Sequence, residues 1–239
     1  MWDPWPDVGV HLEWGERGAG EAADRGDDLV VVDAFSFSTT VTMAVDRGAR
    51  VFAVGRNDTV PPDTYEVPKA RYDDSARMTL APQSTAHLVP GERVALWSAN
   101  GAAVVAAGRH APRITLGCFR NRTAVAAALR RDRRTTVVAC AERWSSIGAG
   151  HGVRPSLEDW LGAGAVIAAT SGLTLSPEAQ AAAATFTAAG AQLETWLREC
   201  VTGRELVAKQ WTADLDYLVA LDASTVVPTL AEDGFFEAS

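Results

Sequence analysis

Residues 29–40 read LVVVDAFSFSTT, an apolar run that ends at a carboxylate and continues into a cluster of hydroxyl side chains. A run of consecutive branched apolar residues is typical of a strand that is buried on both faces of a sheet. Ser38, Thr39 and Thr40 stand where a helix needs capping oxygens, so the pattern predicts a strand that runs directly into a helix. Asp33 then lies at the carboxyl edge of the sheet, where open α/β sheets bind their ligands.

This junction has two interpretations. The free N–H groups and the dipole at a helix start favour an anion, and a carboxylate beside them suggests a metal ion together with a phosphate. In the simpler alternative, Asp33 and Ser38 only cap the helix. The segment taken by itself leaves both interpretations open.

Composition limits the class of protein. With 239 residues, 47% of them hydrophobic, residues 1–239 are expected to form a single α/β domain, with room for two closely joined lobes. The net charge is −8 and basic residues are scattered, so we expect no nucleic-acid partner. Three widely separated cysteines argue against a disulfide framework and against a zinc knuckle. The sequence has neither the pattern of a secretion signal nor a membrane helix, so we expect a cytoplasmic protein without a membrane partner.

Outward from residues 29–40, apolar strand patterns alternate with helical ones. This alternation predicts a three-layer α/β/α fold with a mostly parallel or mixed central sheet. Glycine-rich residues 15–20 are expected to form a flexible loop. Residues 55–92 contain five prolines and are expected to be an irregular segment near the site. The predicted strands are 8–14, 29–33, 50–54, 93–97, 113–116, 135–140 and 224–228. The predicted helices are 38–47, 102–108, 124–129, 160–170, 177–198 and 204–210. Residues 217–221 are predicted to form either a helix or a strand.

Oxygen-bearing side chains recur at the predicted strand ends and helix starts. Such ligands favour Mg²⁺ over zinc. For Glu158 and Asp159 alone, spacing favours the simpler role of acids placed against a helix dipole. Cys140 is expected to be a buried thiol at a strand end. The candidate set comprises Asp33, Ser38, Thr39, Asn100, Asn121, Glu158 and Asp159.

The order of these motifs carries a resemblance. From about residue 28 to residue 230 the chain resembles the 2-phosphosulpholactate phosphatase family, of the ComB type. The motifs that carry it are VVVD-x-F-x-x-STT ending at Thr40, Asn100-Gly101, Gly117-x-x-x-Asn121, Cys140-Ala141 and Glu158-Asp159, followed by Ala163-Gly164, Asp216 and VVP ending at Pro228.

That resemblance implies an α/β fold and Mg²⁺-dependent hydrolysis of a small anionic phosphomonoester. It also implies roles for individual side chains. Asp33 with Glu158 or Asp159 would hold the metal and form the catalytic set. The substrate would be bound by Ser36, Ser38, Thr39, Thr40, Asn100, Gly101 and Asn121.

The chain departs from the family in its phosphate-binding charges. Members usually carry an arginine three residues after the strand-end aspartate, where this chain has Ser36. They carry a threonine after Asn-Gly and a glycine after Cys-Ala, where this chain has Ala102 and Glu142. Residues 67–72 and 80–85 replace the family's Gly-Glu-Arg-Gly-Gly-like and Asn-Ser-Pro stretches. An arginine fork binds phosphate or sulfonate at two points, which serine cannot do. Lys69 and Arg71 are the candidates to replace that charge.

Three functions compete on this basis. The first is a Mg²⁺-dependent phosphatase-like hydrolase acting on a small anionic substrate such as a phosphorylated hydroxy acid. The second keeps the fold and the metal-binding carboxylates but changes the reaction or the substrate. The third is a non-catalytic binding protein. The small residues of the predicted helix 160–170 would also suit a contact between copies of the chain in a homo-oligomer.

Overall fold

A mixed nine-stranded sheet forms the centre of the computed structural model, which describes residues 7, 9–55, 58–71, 73, 75–144 and 152–239. Its strands are β1 (Val10–Trp14), β2 (Asp28–Val32), β3 (Arg50–Val54), β4 (Tyr65–Glu66), β5 (Arg93–Trp97), β6 (Ile114–Leu116), β7 (Thr135–Ala139), β10 (Pro228–Leu230) and β11 (Phe235–Ala238). A separate two-stranded hairpin pairs β8 (Glu142–Arg143) with β9 (Val153–Arg154).

The strand order is β1-β7-β2-β6-β10-β11-β3-β5-β4. Strand β10 is antiparallel to β6 and β11, and β11 is antiparallel to β3, whereas the other neighbouring pairs are parallel. The prediction of a mixed sheet is therefore confirmed.

Helices surround this sheet. They are α1 (Gly15–Asp24), α2 (Phe37–Asp46), α3 (Gly101–Ala107), α4 (Arg122–Ala127), α5 (Leu157–Ala168), α6 (Pro177–Ala189), α7 (Leu193–Glu199), α8 (Val201–Ala208) and α9 (Thr212–Leu218). Short 3-10 turns cover Pro82–His87, Phe119–Asn121 and Gly190–Gln192. None of the helices within the described residues is long and apolar enough to cross a membrane.

Strand β2 separates two hydrophobic cores. Val30 and Val32 pack into a core with α5 and α6, while Leu29 and Val31 face a second core that includes side chains of α1, α2 and α3. All four side chains are buried, and full burial of such a side chain contributes roughly 1.5–3 kcal/mol relative to exposure. The arrangement confirms the three-layer α/β/α fold, and it explains why the run in β2 is apolar at every position.

Helices α5 and α6 approach each other closely. A Cβ atom built on Gly164 of α5 would lie 2.2 Å from the backbone oxygen of Ala182 in α6. The glycines and alanines of α5 therefore serve packing inside the chain, because any larger side chain at this crossing would separate the two helices.

Residues 15–20 form the first turns of helix α1, so the prediction of a flexible loop there is wrong. Gly18, Ala19 and Ala22 are buried, and a Cβ atom on Gly18 would lie 2.7 Å from the Cβ atom of Glu13. The small residues allow α1 to pack tightly beside β1 and α3. This tertiary packing outweighs the low helix propensity of glycine.

Two other predicted elements also differ from the structure. The predicted helix 177–198 is divided into α6 and α7, because Gly190 has a φ of +46°, which interrupts a right-handed helix. The predicted strand 224–228 was placed too early, since Pro228 begins β10 rather than ending a strand. The first residue of a strand is a position where proline, which has no N–H group, is tolerated.

The irregular segment 55–92 contains β4 and the 3-10 turn at Pro82–His87. It contacts the start of α2, because the carbonyl oxygen of Leu80 accepts hydrogen bonds from the hydroxyls of Ser36 (3.4 Å) and Thr40 (2.9 Å). The segment thus lies against the turn that follows Asp33.

Candidate active site

The buried carboxylate of Asp33 lies where two helices begin. Its Oδ2 atom accepts hydrogen bonds from the backbone N–H of Gly101 (2.9 Å) and from the hydroxyl of Ser98 (3.3 Å). Its Oδ1 atom accepts a longer one, 3.4 Å, from the N–H of Phe37. Phe37 and Gly101 are the first residues of α2 and α3, so the carboxylate is stabilised by the positive ends of both helices.

The hydroxyls at the start of α2 are buried and already bonded to the backbone. Ser38 Oγ also accepts a 3.0 Å hydrogen bond from the N–H of Asp33. These side chains therefore hold the strand-to-helix turn in place. The acceptors are the carbonyl oxygens of Leu80 for Ser36 and Thr40, of Val31 for Ser38 (3.3 Å) and of Ala34 for Thr39 (3.0 Å).

Asp159 ties the first turn of α5 to the same turn. Its Oδ1 atom accepts a hydrogen bond from the N–H of Ala34 (2.8 Å), and its Oδ2 atom accepts one from the hydroxyl of Ser156 (2.7 Å). Burial raises the pKa of Asp159 well above its ordinary value, and the negative charges of Asp33 and Glu158 raise it further. The two predicted acids Asp33 and Asp159 thus lie close enough to act on each other.

Glu158 is held from the other side by the start of α8. Its buried carboxylate accepts a hydrogen bond from the hydroxyl of Thr202 and a 3.4 Å hydrogen bond from the thiol of Cys200. Burial and the charge of Glu158 raise the pKa of Cys200 to about 12, so this thiol remains a protonated donor at neutral pH.

Glu142 is a fourth acid at this position and was not among the predicted site residues. Its Oε2 atom accepts a hydrogen bond from Nδ2 of Asn100 (2.9 Å). Burial raises its pKa to about 7, and the charge of Asp33 adds to the effect. Its place immediately after β7 was the signal in the sequence, because that strand ends at the same edge of the sheet as β2.

The acids Asp33, Glu142, Glu158 and Asp159 are referred to below as the acid cluster. Burial raises the pKa of Asp33 to about 6 despite the hydrogen bonds from Phe37, Gly101 and Ser98, and the charge of Glu158 acts in the same direction. Oδ1 of Asn100, beside the cluster, is buried without a hydrogen-bond partner within the described part of the chain. The cluster thus combines excess negative charge with an unused acceptor.

Arg154 lies beside the acid cluster, where its positive charge opposes the rise in the pKa of Glu142. Arg154 on β9 is paired in register with Glu142 on β8, and its Nη2 atom lies 3.4 Å from Oγ1 of Thr202. The two predicted replacement cations are held elsewhere. The ammonium of Lys69 lies 4.8 Å from the centre of the Trp97 ring, and Arg71 forms a buried ion pair with Asp214 at 2.9 Å.

Asn121 serves the fold. Its Nδ2 atom donates to the carbonyl oxygens of Leu116 (3.1 Å) and Val226 (3.0 Å), and its Oδ1 atom accepts from the N–H of Cys118 (2.9 Å). These bonds join the end of β6 to the segment before β10. The structure therefore does not bring Asn121 to the acid cluster, unlike Asn100 and Gly101.

The suitability of the acid cluster for Mg²⁺ can be judged from its donors. Across the described ranges, no three His, Cys, Asp or Glu side chains lie close enough together to hold one ion. The predicted set of Asp33, Glu158 and Asp159 therefore does not form a complete three-ligand cage. Mg²⁺, however, commonly binds to one or two carboxylates and keeps several waters. The buried acids Asp33 and Asp159, whose pKa values are raised, and Oδ1 of Asn100, which has no partner among the described residues, fit a partly hydrated Mg²⁺ ion.

Comparison with protein families gives a direct result. A family model described as 2-phosphosulpholactate phosphatase matches residues 78–233, roughly two thirds of the chain. The chain belongs to the 2-phosphosulpholactate phosphatase family. A search of curated proteins found no match.

Membership in the 2-phosphosulpholactate phosphatase family supports a phosphatase-like role for the protein. The matched region includes Asn100, Gly101, Glu142, Glu158 and Asp159, but it begins after Asp33 and α2. It is thus shorter than the resemblance seen in the sequence from residue 28 onwards. The turn in which this chain has serine instead of arginine lies outside the match.

Proposed function

We propose that the protein is a Mg²⁺-dependent phosphomonoesterase that acts on a small anionic substrate such as a phosphorylated hydroxy acid. The observation that carries this proposal is the buried carboxylate of Asp33, fixed at the starts of α2 and α3 and within electrostatic reach of Glu142, Glu158 and Asp159. Family membership supports the same type of reaction.

The Mg²⁺ ion would be held by Asp33 and by Glu158 or Asp159, with Oδ1 of Asn100 accepting a hydrogen bond from a bound water. When bound, such an ion neutralises the charge of a phosphoryl group and polarises its oxygens. Oδ2 of Asp33 accepts hydrogen bonds from two donors, whereas Oδ1 accepts a single long one. Oδ1 is therefore the oxygen that is more available to bind the ion.

Glu142 is the group best suited to move a proton. Its pKa of about 7 allows it to hold a proton at neutral pH and to release it, as a general acid must. Nδ2 of Asn100 orients the Oε2 atom. We therefore assign Glu142 the role of protonating the leaving-group oxygen of the substrate.

The test is phosphate release from a panel of phosphorylated hydroxy acids, measured with Mg²⁺ and with EDTA. The variant Asp33→Asn keeps the shape of the side chain but removes its charge, and we expect it to lower kcat roughly 100-fold or more. Asp46→Asn, at the exposed end of α2, is the matched control and should retain full activity. Phosphate release that is indifferent to EDTA and to Asp33→Asn would contradict the proposal.

A second candidate function is a different reaction at the same site. The observation that favours it is Ser36, whose hydroxyl donates to Leu80 O and supplies no charge where the family usually has arginine. In that case the protein should bind Mg²⁺ and small anions without releasing phosphate. Absence of both metal and anion binding would instead indicate a non-catalytic protein.

A further inference from the structure

A short turn, residues 98–101 between β5 and α3, connects two acids of the cluster. The backbone N–H of Gly101 donates to Oδ2 of Asp33 at 2.9 Å. One residue earlier, Nδ2 of Asn100 donates to Oε2 of Glu142 at 2.9 Å. The two acids come from the end of β2 and the start of β8, so the turn determines how they lie relative to each other.

The same turn is held by Arg143, the residue that follows Glu142 in β8. Its Nε atom donates to the carbonyl oxygen of Ala99 at 3.0 Å. Its Nη2 atom forms an ion pair with Glu16 in the first turn of α1. Two neighbouring side chains of β8 therefore reach the turn, and Arg143 also connects it to α1.

The two contacts of Arg143 contribute differently. The side chain of Glu16 is 48% exposed, and an exposed ion pair contributes little to stability because water and salt screen it. The hydrogen bond to Ala99 O has a charged donor, which makes it stronger than a bond between neutral groups. The contact with Ala99 O is therefore the one by which Arg143 holds the turn.

We propose that Arg143 is a positioning residue, which fastens the turn 98–101 to β8 and thereby fixes Asp33 and Glu142 relative to each other. This inference rests on the proposed function, which gives the first acid to the metal ion and the second to proton transfer. Arg143 acts through the turn and not on the substrate. Its effect on the rate can still be large, because a displacement of about 1 Å at reacting groups costs roughly 100-fold.

The first test compares Arg143→Met with Arg131→Met in the Mg²⁺-loaded protein. Arg131 also donates to a distant carbonyl oxygen, that of Ser171 at 3.1 Å, but it lies before β7, at the end of that strand remote from Glu142. With the phosphorylated hydroxy acid that wild type hydrolyses fastest, Arg143→Met should lower kcat by about 10- to 100-fold and leave KM unchanged. Arg131→Met should change neither constant. An unchanged kcat in Arg143→Met, or a rise in KM as large as the fall in kcat, would overturn the proposal.

Hydrogen exchange separates this proposal from the proposed function, because it needs neither metal nor substrate. In the metal-free protein, Arg143→Met should speed exchange of the Gly101 amide by about 10-fold or more, since loss of the bond to Ala99 O loosens the turn. The Gly117 amide, which donates to Val31 O at 3.0 Å, should exchange as in wild type. Equal acceleration at both amides, or none at Gly101, would overturn the proposal.

The two measurements give separate answers. If wild type releases no phosphate from any substrate, the proposed function fails, while selective acceleration at Gly101 still supports the role of Arg143 in holding the turn. Should Arg143→Met fail to fold in a thermal unfolding assay, Arg143→Gln replaces it. Glutamine keeps a polar group at this partly exposed position but is shorter than arginine, so the same selective change at Gly101 is expected.

Discussion

The backbone N–H of Gly101 donates to Oδ2 of Asp33 at 2.9 Å, across 68 positions of sequence. The same glycine leaves no room for a side chain. A Cβ atom at this position would lie 2.8 Å from Oδ2 of Asp33 and 2.3 Å from Cδ1 of Phe37. The absence of a side chain at Gly101 is thus what allows α3 to start directly on the carboxylate.

We expect Gly101→Ala to displace Asp33 and to abolish phosphate release. The methyl group would also destabilise the protein by roughly 1–3 kcal/mol, as extra atoms do in a packed core. Gly20→Ala in α1 is the matched control. A Cβ atom at Gly20 would lie 3.8 Å from Ala107 O, an ordinary contact distance, so this variant should be stabilised by about 0.5–1 kcal/mol. Urea unfolding and phosphate release measure the two effects; equal stability and activity in both variants would contradict the prediction.

We expect Asp159→Asn to make the metal-free protein more stable at neutral pH. Because folding raises the pKa of Asp159, this group destabilises the native state at any pH above the ordinary pKa of aspartate, and asparagine, which does not ionise, removes that cost. The amide can keep accepting from Ala34 N–H and can donate to the Ser156 hydroxyl. Asp159→Ala loses both bonds and should be destabilised by about 1–3 kcal/mol. Unfolding in EDTA tests this pair, and an Asn variant that is less stable than wild type at neutral pH would contradict it.

We expect the metal-free protein to lose stability as the pH rises from about 4 to about 7. The pKa values of Asp33 and Glu142 are raised to about 6 and about 7, so the native state binds more protons than the unfolded chain in this range. Stability then falls with pH, by an amount on the order of 2–3 kcal/mol for each group.

Groups whose pKa is lowered on folding act in the opposite direction and at lower pH. Asp58, Asp222 and Asp233 contribute stability above their ordinary pKa near 4, and this contribution is lost only as the pH falls below that value. Urea unfolding in EDTA between pH 4.5 and pH 7.5 stays above that value, so it reports the acids whose pKa is raised on folding, which are those of the acid cluster together with Glu13. Glu142→Gln should flatten the profile, and Mg²⁺ should stabilise more at the upper end. A profile that rises with pH would exclude this electrostatic account.

The local pattern around Asp33 was predictable because it depends on residues close in sequence. Apolar residues filled β2, and the following hydroxyls marked the start of α2. Whether those hydroxyls face a ligand or the backbone was not predictable, because the acceptor for Ser36 and Thr40 is Leu80, some 40 residues away.

Long-range packing explains the other differences. Glycine-rich residues 15–20 have low helix propensity, and contacts of α1 with α3 and with strands β1, β2 and β7 hold them in a helix. Glu142 and Arg154 lie between the predicted strand 135–140 and the predicted helix 160–170, and their pairing across the β8–β9 hairpin has no local signature in the sequence. The candidate acids at strand ends could be named from sequence, whereas their hydrogen-bond partners could not.

The carboxylate of Glu158 is positioned by a hydroxyl at the start of α8. We expect Thr202→Val to remove the hydroxyl that donates to the Glu158 carboxylate, to lower the free energy of unfolding by about 1–3 kcal/mol, and to weaken Mg²⁺ binding roughly 10-fold. Thr202→Ser keeps the hydroxyl and should restore Mg²⁺ affinity, which makes it the matched control. Calorimetric titration with Mg²⁺ shows whether Thr202 positions Glu158 for metal binding or only stabilises the fold. If the valine variant is less stable but binds Mg²⁺ as tightly as wild type, Glu158 only caps α8 and is not a metal ligand.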